Sequence, residues 1–190
     1  VLFANSFGEC YTDERPMASV TAVVIMSDGT RVENFHSSKS FRMGFEFLTA
    51  DLIEEVSNDV VKGCERLFEA KRPPCGEMAV VMGSGSSGIL LHEAIGHTFE
   101  ADFNRKNVSI FSDKMGKKIC DSSINIVDDG TIPFNRGAVN FDDEGVVGQK
   151  TYMVKDGILN SYLHDRISAR HYGVAPTGNG RRESFRYSPI

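Results

Sequence analysis

The run Gly83-Ser84-Gly85-Ser86-Ser87-Gly88-Ile89-Leu90-Leu91-His92-Glu93-Ala94-Ile95-Gly96-His97-Thr98-Phe99-Glu100-Ala101-Asp102-Phe103 admits two folds, and the choice between them decides the class of the chain. Read from its left end, Gly83, Gly85 and Gly88 spell the G-x-G-x-x-G of a dinucleotide-binding turn. The apolar residues 78–82 would be the preceding buried strand and 89–103 the following helix. Residues 108–111 would then form the next strand, and Asp113 would be the acid that holds a ribose. Read from its right end, the run places two imidazoles and a carboxylate in a helix otherwise built of Ile, Leu, Ala and Phe. Neutral imidazole is a preferred zinc ligand, and a glutamate beside the first ligand can take a proton from a metal-bound water.

The spacing here is H-E-x-x-x-H. In a regular α-helix five residues turn the side-chain direction by about 500°, leaving His92 and His97 about 140° apart, whereas a four-residue spacing leaves only about 40°. A regular helix would therefore not offer both rings to one ion. A π-type bulge, or an end or kink at Gly96, removes the mismatch. Glycine is about 1 kcal/mol poorer than alanine inside a helix, so Gly96 marks the expected place of distortion. On spacing alone, the metal reading stands level with two unrelated histidines, each bonded to a neighbouring carbonyl. Glu100, three residues beyond His97 on the same face, is placed to orient an imidazole from behind. Asp102 reads as a solvated helix-end charge. Zinc takes three protein ligands plus water, and His164 and His171, read first as caps of a polar surface, are the other imidazoles of this half of the chain.

The flanking sequence favours the right-hand reading. Residues 124–127 with Asp129-Gly130, and 152–154 with Asp156-Gly157 and then 158–163, look like strands punctuated by tight turns. Such turns suit antiparallel pairing, because parallel strands need connections of a dozen residues or more. The expected class is α+β: a strand-rich antiparallel module carrying a metal-binding helix. Upstream, residues 20–26, the Ser27-Asp28-Gly29 turn and the alternating 30–35 read as a hairpin. Leu52, Ile53, Val56, Val60, Cys64, Leu67 and Phe68 then follow a 3.6-residue period, with Asp51 and Glu54 as an N-terminal capping pair. Lys71-Arg72 and Pro73-Pro74 end that helix, so residues 1–72 are expected to close one domain and 73–190 to open another.

Composition narrows the function classes. The 190 residues, 41% hydrophobic and 25% charged, fit one or two globular domains. A net charge of −5 is the wrong sign for broad phosphate-backbone binding, so no direct nucleic-acid contact is expected. No apolar run approaches the ~20 residues of a membrane span. Cys10, Cys64, Cys75 and Cys120 form no C-x-x-C pair and no disulfide framework, which suits a reducing, cytoplasmic setting. The chain opens on Val1 and stops at Ile190 after a polar loop, as a piece of a longer protein would.

Four stretches together resemble the TldD branch of the TldD/PmbA family: residues 88–103, Val-Asp-Asp-Gly-Thr-Ile-Pro at 127–133, Asp-Asp-Glu-Gly at 142–145, and Gly-Val-Ala-Pro-Thr-Gly-Asn-Gly-Arg-Arg-Glu-Ser at 173–184. A weaker match lies at Ala4-Asn5-Ser6 and Asp13-Glu14-Arg15-Pro16. The resemblance implies a cytoplasmic zinc metallopeptidase, long labelled a DNA-gyrase modulator, that cuts unfolded or flexible peptides inside an enclosed cavity. It implies that His92 and His97 hold one Zn2+ per chain and that Glu93 is the general base. The third ligand would be a cysteine near the family's C-terminus, matched by none of the four here and expected beyond Ile190. Family members pair a TldD subunit with a PmbA/TldE-type subunit lacking the motif, so such a partner, or a homodimer, is implied. Exposed strand edges suit extended peptide, and Asn179, Arg181 and Arg182 offer donors to peptide carbonyls or a terminal carboxylate. The alternatives are the dinucleotide module on Gly83, Gly85 and Gly88, and a non-catalytic gyrase-binding protein.

Overall fold

The computed structural model describes residues 1–85 and 87–190; Ser86, inside the glycine-rich run, lies outside the described residues. Packing divides the chain into two compact units. One contains residues 14–80 and 134–136, the other 1–13, 81–133 and 137–190. The break at Lys71–Pro74 ends a helix, and the first thirteen residues fold with the later part of the chain.

In the smaller unit, β3 (Ala18–Ser27) and β4 (Val32–Phe41) form an antiparallel hairpin; β3 is longer at both ends than the sequence pattern marks, and β4 starts later and runs further. Alternate residues face α1 (Ala50–Glu69), whose buried stripe is Val56, Val60, Gly63 and Cys64. Ile53, which fits the helical period, is instead half exposed, because it lies off the line that meets the hairpin. The cap also differs from the expected Asp51/Glu54 pair: Thr49 Oγ1 accepts the Leu52 N–H at 3.2 Å. At the far end the Arg31 guanidinium donates to the Phe68 and Leu67 carbonyls at 3.0 and 3.2 Å, satisfying helix-end acceptors from the neighbouring hairpin.

The larger unit is built on an antiparallel sheet of β5 (Ile126–Asp129), β6 (Lys150–Lys155) and β7 (Ile158–Leu159), in that order, with β5 on the edge. The Asp156-Gly157 turn joins β6 to β7 as its sequence indicates. Asp129-Gly130 does not make the corresponding tight turn: residues 130–149 intervene before β6. Phe99, Ala101, Ile126, Met153, Val154, Leu159 and Tyr162 form the core. A second hairpin, β1 (Leu2–Ala4) and β2 (Cys10–Thr12), stacks Phe3 and Tyr11 near Phe141 and is held by Arg166–Glu9 at 3.2 Å and Asn140–Asp13 at 2.6 Å.

Three further expectations are overturned here. Residues 78–82 form no strand and are exposed, Val81 at 99%, because no neighbouring backbone pairs with them among the described residues. Residues 108–111 are turns, so the glycine-rich run has neither the strand before it nor the parallel strand after it that dinucleotide binding needs. His164 is no surface cap: it is buried between the rings of Tyr162 and Tyr172, at 6.0 and 5.5 Å. His171 lies exposed, edge-on to Tyr172 at 4.9 Å.

Gly63 carries a sign reversal. In a helix interior, Gly→Ala normally gains about 1 kcal/mol, but a Cβ at Gly63 would sit 2.3 Å from the Phe35 ring. Gly63→Ala is therefore expected to destabilise by about 1–3 kcal/mol in denaturant melts, and Phe35→Leu in the same chain should recover part of that loss. Burial holds the His164 imidazole below its usual range, against a smaller opposing pull from Asp165. Unfolding frees it to bind a proton near pH 6.5, so its stabilising contribution is complete above that value and lost as pH falls from there through the lower folded pKa. Melting temperatures measured between pH 7.5 and 5 should drop less steeply in His164→Gln than in wild type.

Candidate metal centre

The segment from Ser87 to Arg105 is not one helix. It passes through α2 (Ser87–Leu91), a π turn (His92–Gly96), a 3₁₀ turn (His97–Phe99), an extended Glu100 and α3 (Ala101–Arg105). The His97 N–H bonds the His92 carbonyl, an i→i+5 link that widens the turn by one residue. Of the two ways to bring the histidines together, the chain takes the π turn, which closes at Gly96. Gly96 itself has ordinary right-handed dihedrals, φ −52 and ψ −55, and a Cβ there would touch the His92 ring only at 3.5 Å, an ordinary contact. Its glycine is thus compatible with the distortion without being required by sterics.

The widened turn brings the two rings edge-on, with centroids 4.6 Å apart and planes 68° apart. One ligand-type atom from each of His92, Glu93 and His97 lies within 4.8 Å of the other two, and all three residues are exposed. Glu93 Oε2 stands 3.8 Å from His97 Nε2. On its other side, His97 Nδ1 lies 2.7 Å from Glu100 Oε1. That bond fixes the ring and, with Nδ1 carrying the hydrogen, leaves Nε2 free on the Glu93 side. The same hydrogen bond and charge of Glu100, with a smaller pull from Glu93, raise the imidazole above its usual pKa despite slight desolvation. A metal taken up at Nε2 would displace a proton below that pKa.

Glu100 is held by its backbone. The Ala101 N–H donates to the Leu163 carbonyl, and the Leu163 N–H to the Phe99 carbonyl, each at 2.9 Å. Asp102 is not a solvated charge: it is 8% exposed and bonded to Lys106 at 2.7 Å, because α3 turns its first residues into the core.

A cavity of about 620 Å³ takes in His92, Glu100, Asp128, Asn179, Arg181 and Arg182. The three loop residues expected to meet substrate thus share a cavity with one histidine, and neither His164 nor His171 belongs to the cluster of His92, Glu93 and His97. Asp128 is the residue that the motif reading left without a role. It lines this cavity and two smaller ones of about 230 and 180 Å³, and it receives the Asn179 side-chain N–H at 2.6 Å. Its signal was present in Val127-Asp128-Asp129-Gly130, but a strand acid has no local spacing rule that tells an inward from an outward carboxylate.

A model of the PmbA/TldA metallopeptidase C-terminal domain matches residues 75–190. The chain belongs to the PmbA/TldD family. The metalloprotease TldD homolog of Buchnera aphidicola from Acyrthosiphon pisum is 40% identical, covering 100% of this chain and 41% of that protein. The zinc metalloprotease TldD homolog of Saccharolobus solfataricus is 31% identical over 89% of this chain and 38% of its own length. The crystal structure of a Thermotoga maritima protein, a proposed modulator of a DNA gyrase, matches at TM-score 0.81 and 25% identity, over 99% of this chain and 42% of that one. The chain spans about two fifths of the length of the curated relatives it matches. Among the described residues, no helix is long and apolar enough to cross a membrane.

Within this PmbA/TldD cluster, Glu100 is the residue whose removal should separate ring orientation from ligation. Outer partners of metal-bound histidines are worth about 10–100-fold in metal affinity. In competition with a chromophoric chelator, Glu100→Ala in the full-length protein should hold an added divalent metal ion more weakly than wild type by that amount. Glu100→Gln, which still accepts the Nδ1 hydrogen, should lose much less.

Proposed function

We propose that this chain carries the metal-binding segment of a zinc-dependent peptidase of the TldD type, hydrolysing unfolded or flexible peptides. The observation that carries this reading is the π turn, which converts an i, i+5 pair of histidines into neighbours with a carboxylate beside them. The donor set fits zinc: two imidazoles, one of them braced at Nδ1 by a carboxylate, and an adjacent acid. His92 and His97 would hold the ion, with the third protein ligand supplied by the family's C-terminal cysteine beyond Ile190. Bound zinc would polarise the scissile carbonyl and lower the pKa of a coordinated water.

Glu93 then does the proton work. It follows His92 directly in the π turn, with a carboxylate oxygen within 4.8 Å of a ring nitrogen of each histidine. Its exposed carboxylate faces the free side of His97. There it takes the proton of the attacking water and returns it to the leaving amine. The cavity that joins His92 to residues 179–182 receives the peptide. The exposed cluster is enclosed, in this reading, by the remainder of a cytoplasmic two-chain assembly with a PmbA/TldE-type subunit or a second copy. Residues 73–190 would open the metallopeptidase domain and 1–72 close the domain before it, with residues 1–13 of that closing part packed on the later unit.

Elemental analysis of the full-length protein should find one zinc per chain in wild type and little in His92→Ala; unchanged stoichiometry would end the ligand assignment. Glu93→Gln should keep its zinc and lose peptide hydrolysis by about a hundredfold or more. Cleavage at the wild-type rate would overturn the mechanism, and loss of zinc would make the carboxylate a ligand.

A further inference from the structure

The three polar side chains of the 179–182 loop are not equivalent. Asn179 spends its N–H on Asp128, and Arg181 Nε sits 3.3 Å from Asp143 Oδ2. Both hold the loop together. Arg182 donates its backbone N–H to the same Asp143 carboxylate at 3.0 Å, while its guanidinium has no hydrogen-bond or carboxylate partner among the described residues.

The mount beneath that guanidinium is rigid. The Gly180 N–H donates to the buried Asp142 carboxylate at 2.8 Å. Gly178 has φ +71, and a Cβ there would fall 2.3 Å from the Val147 carbonyl oxygen, so only glycine lets these strands of chain approach. Arg181 and Ile190 exchange backbone hydrogen bonds at 3.0 and 2.9 Å. A fixed backbone carrying one unspent, permanently charged donor group is a pre-organised anion receptor.

The cavity shared with His92 supplies the rest. Leu163, Tyr187 and Ile190 give it apolar surface. Of its acids, Glu100 is spent on His97, Asp128 on Asn179, and Asp165 on the N–H groups of Ile167 and Ser168. Glu183 is the remaining acid, next to Arg182 in sequence.

We infer that Arg182 binds a carboxylate of the peptide substrate, setting which part of the chain lies over His92 and Glu93. This rests on the peptidase reading of the site. A guanidinium presents paired N–H donors that match a carboxylate in the bidentate geometry of strong ion pairs. A C-terminal carboxylate and an Asp or Glu side chain share that chemistry, so the test separates them.

The measurement is equilibrium binding of fluorescent peptides to full-length Glu93→Gln, with and without Arg182→Gln. One sequence is used in three forms: a free C-terminal acid without acidic side chains, its C-terminal amide, and that amide with one internal Asp. The expected result is that a carboxylate-bearing form binds about tenfold or more tightly than the plain amide. Arg182→Gln should abolish that advantage, so that all three forms bind alike, and Arg182→Lys should restore only part. The form that gains identifies the source of the carboxylate. Equal affinity of all three peptides, an advantage that survives Arg182→Gln, or no binding at all would overturn the assignment. Because binding is read without turnover, absent hydrolysis in wild type would sink the proposed activity alone; hydrolysis without any carboxylate preference would sink the role of Arg182 alone.

Discussion

The hydrogen bond from the His97 N–H to the His92 carbonyl governs the arrangement of everything around it. With an α-type bond to residue 93 instead, His97 would swing about 140° away from His92, and Glu93 would lie alone between them. One residue of extra winding must be absorbed, and the chain does so over the next few positions. The 3₁₀ turn at His97–Phe99 tightens again, and Glu100 leaves the helix with ψ 127. The carbonyls released by this change are satisfied locally: Asn104 Nδ2 donates to both Thr98 and Glu100 at 2.8 Å, and Ser109 Oγ also reaches Thr98. Phe99, fully buried against Phe111, anchors the distorted end in the core. Truncating such a ring costs about 3–5 kcal/mol, enough to hold a turn geometry that the isolated helix would not choose.

The same anchoring explains why the cluster is exposed and yet ordered. His92, Glu93 and His97 face outward, but the backbone beneath them is pinned on its C-terminal side: through Phe99 and Ala101 to Leu163, and through Glu100 to the His97 ring. Exposed titratable groups on a braced backbone can meet a ligand without first paying the ordering entropy of a loop. Nearly every acid around the cavity is already engaged with a protein donor, so the wall is less negative toward a substrate than its residue count suggests.

How much of this was legible in the sequence depends on whether the deciding contact is local. The β3–β4 hairpin, the α1 period with its Pro73 stop, and the Asp156-Gly157 turn rest on neighbours a few residues apart, and the sequence marks them. The mismatch between the H-E-x-x-x-H spacing and a regular helix likewise announces a distortion near Gly96. What the sequence does not carry is the identity of distant partners. Residues 78–82 have the composition of a buried strand but no described strand beside them. His164 looks like a surface histidine until Tyr162 and Tyr172 close on it. Asp102 looks solvated until the chain reverses at Glu100. Asp128 stands in a legible motif, yet its contact with Asn179 spans 51 positions.

Asp128 also shows how two separately encoded features become one site. The π turn is written into residues 92–97 and the arginine loop into residues 177–182, with no local pattern linking them. The link is the edge strand β5: its Asp128 carboxylate ties the loop through Asn179, while its backbone neighbours line the smaller cavity beneath His92 and Gly96. Among the described residues β5 pairs with one strand, β6, which leaves its other side to form this wall. A three-stranded sheet closed on both edges would bury that surface against another strand and leave the histidines and the arginines facing separate solvent. The short, one-sided sheet is therefore the feature that puts one histidine of the metal-type cluster and an unspent cation around a common space.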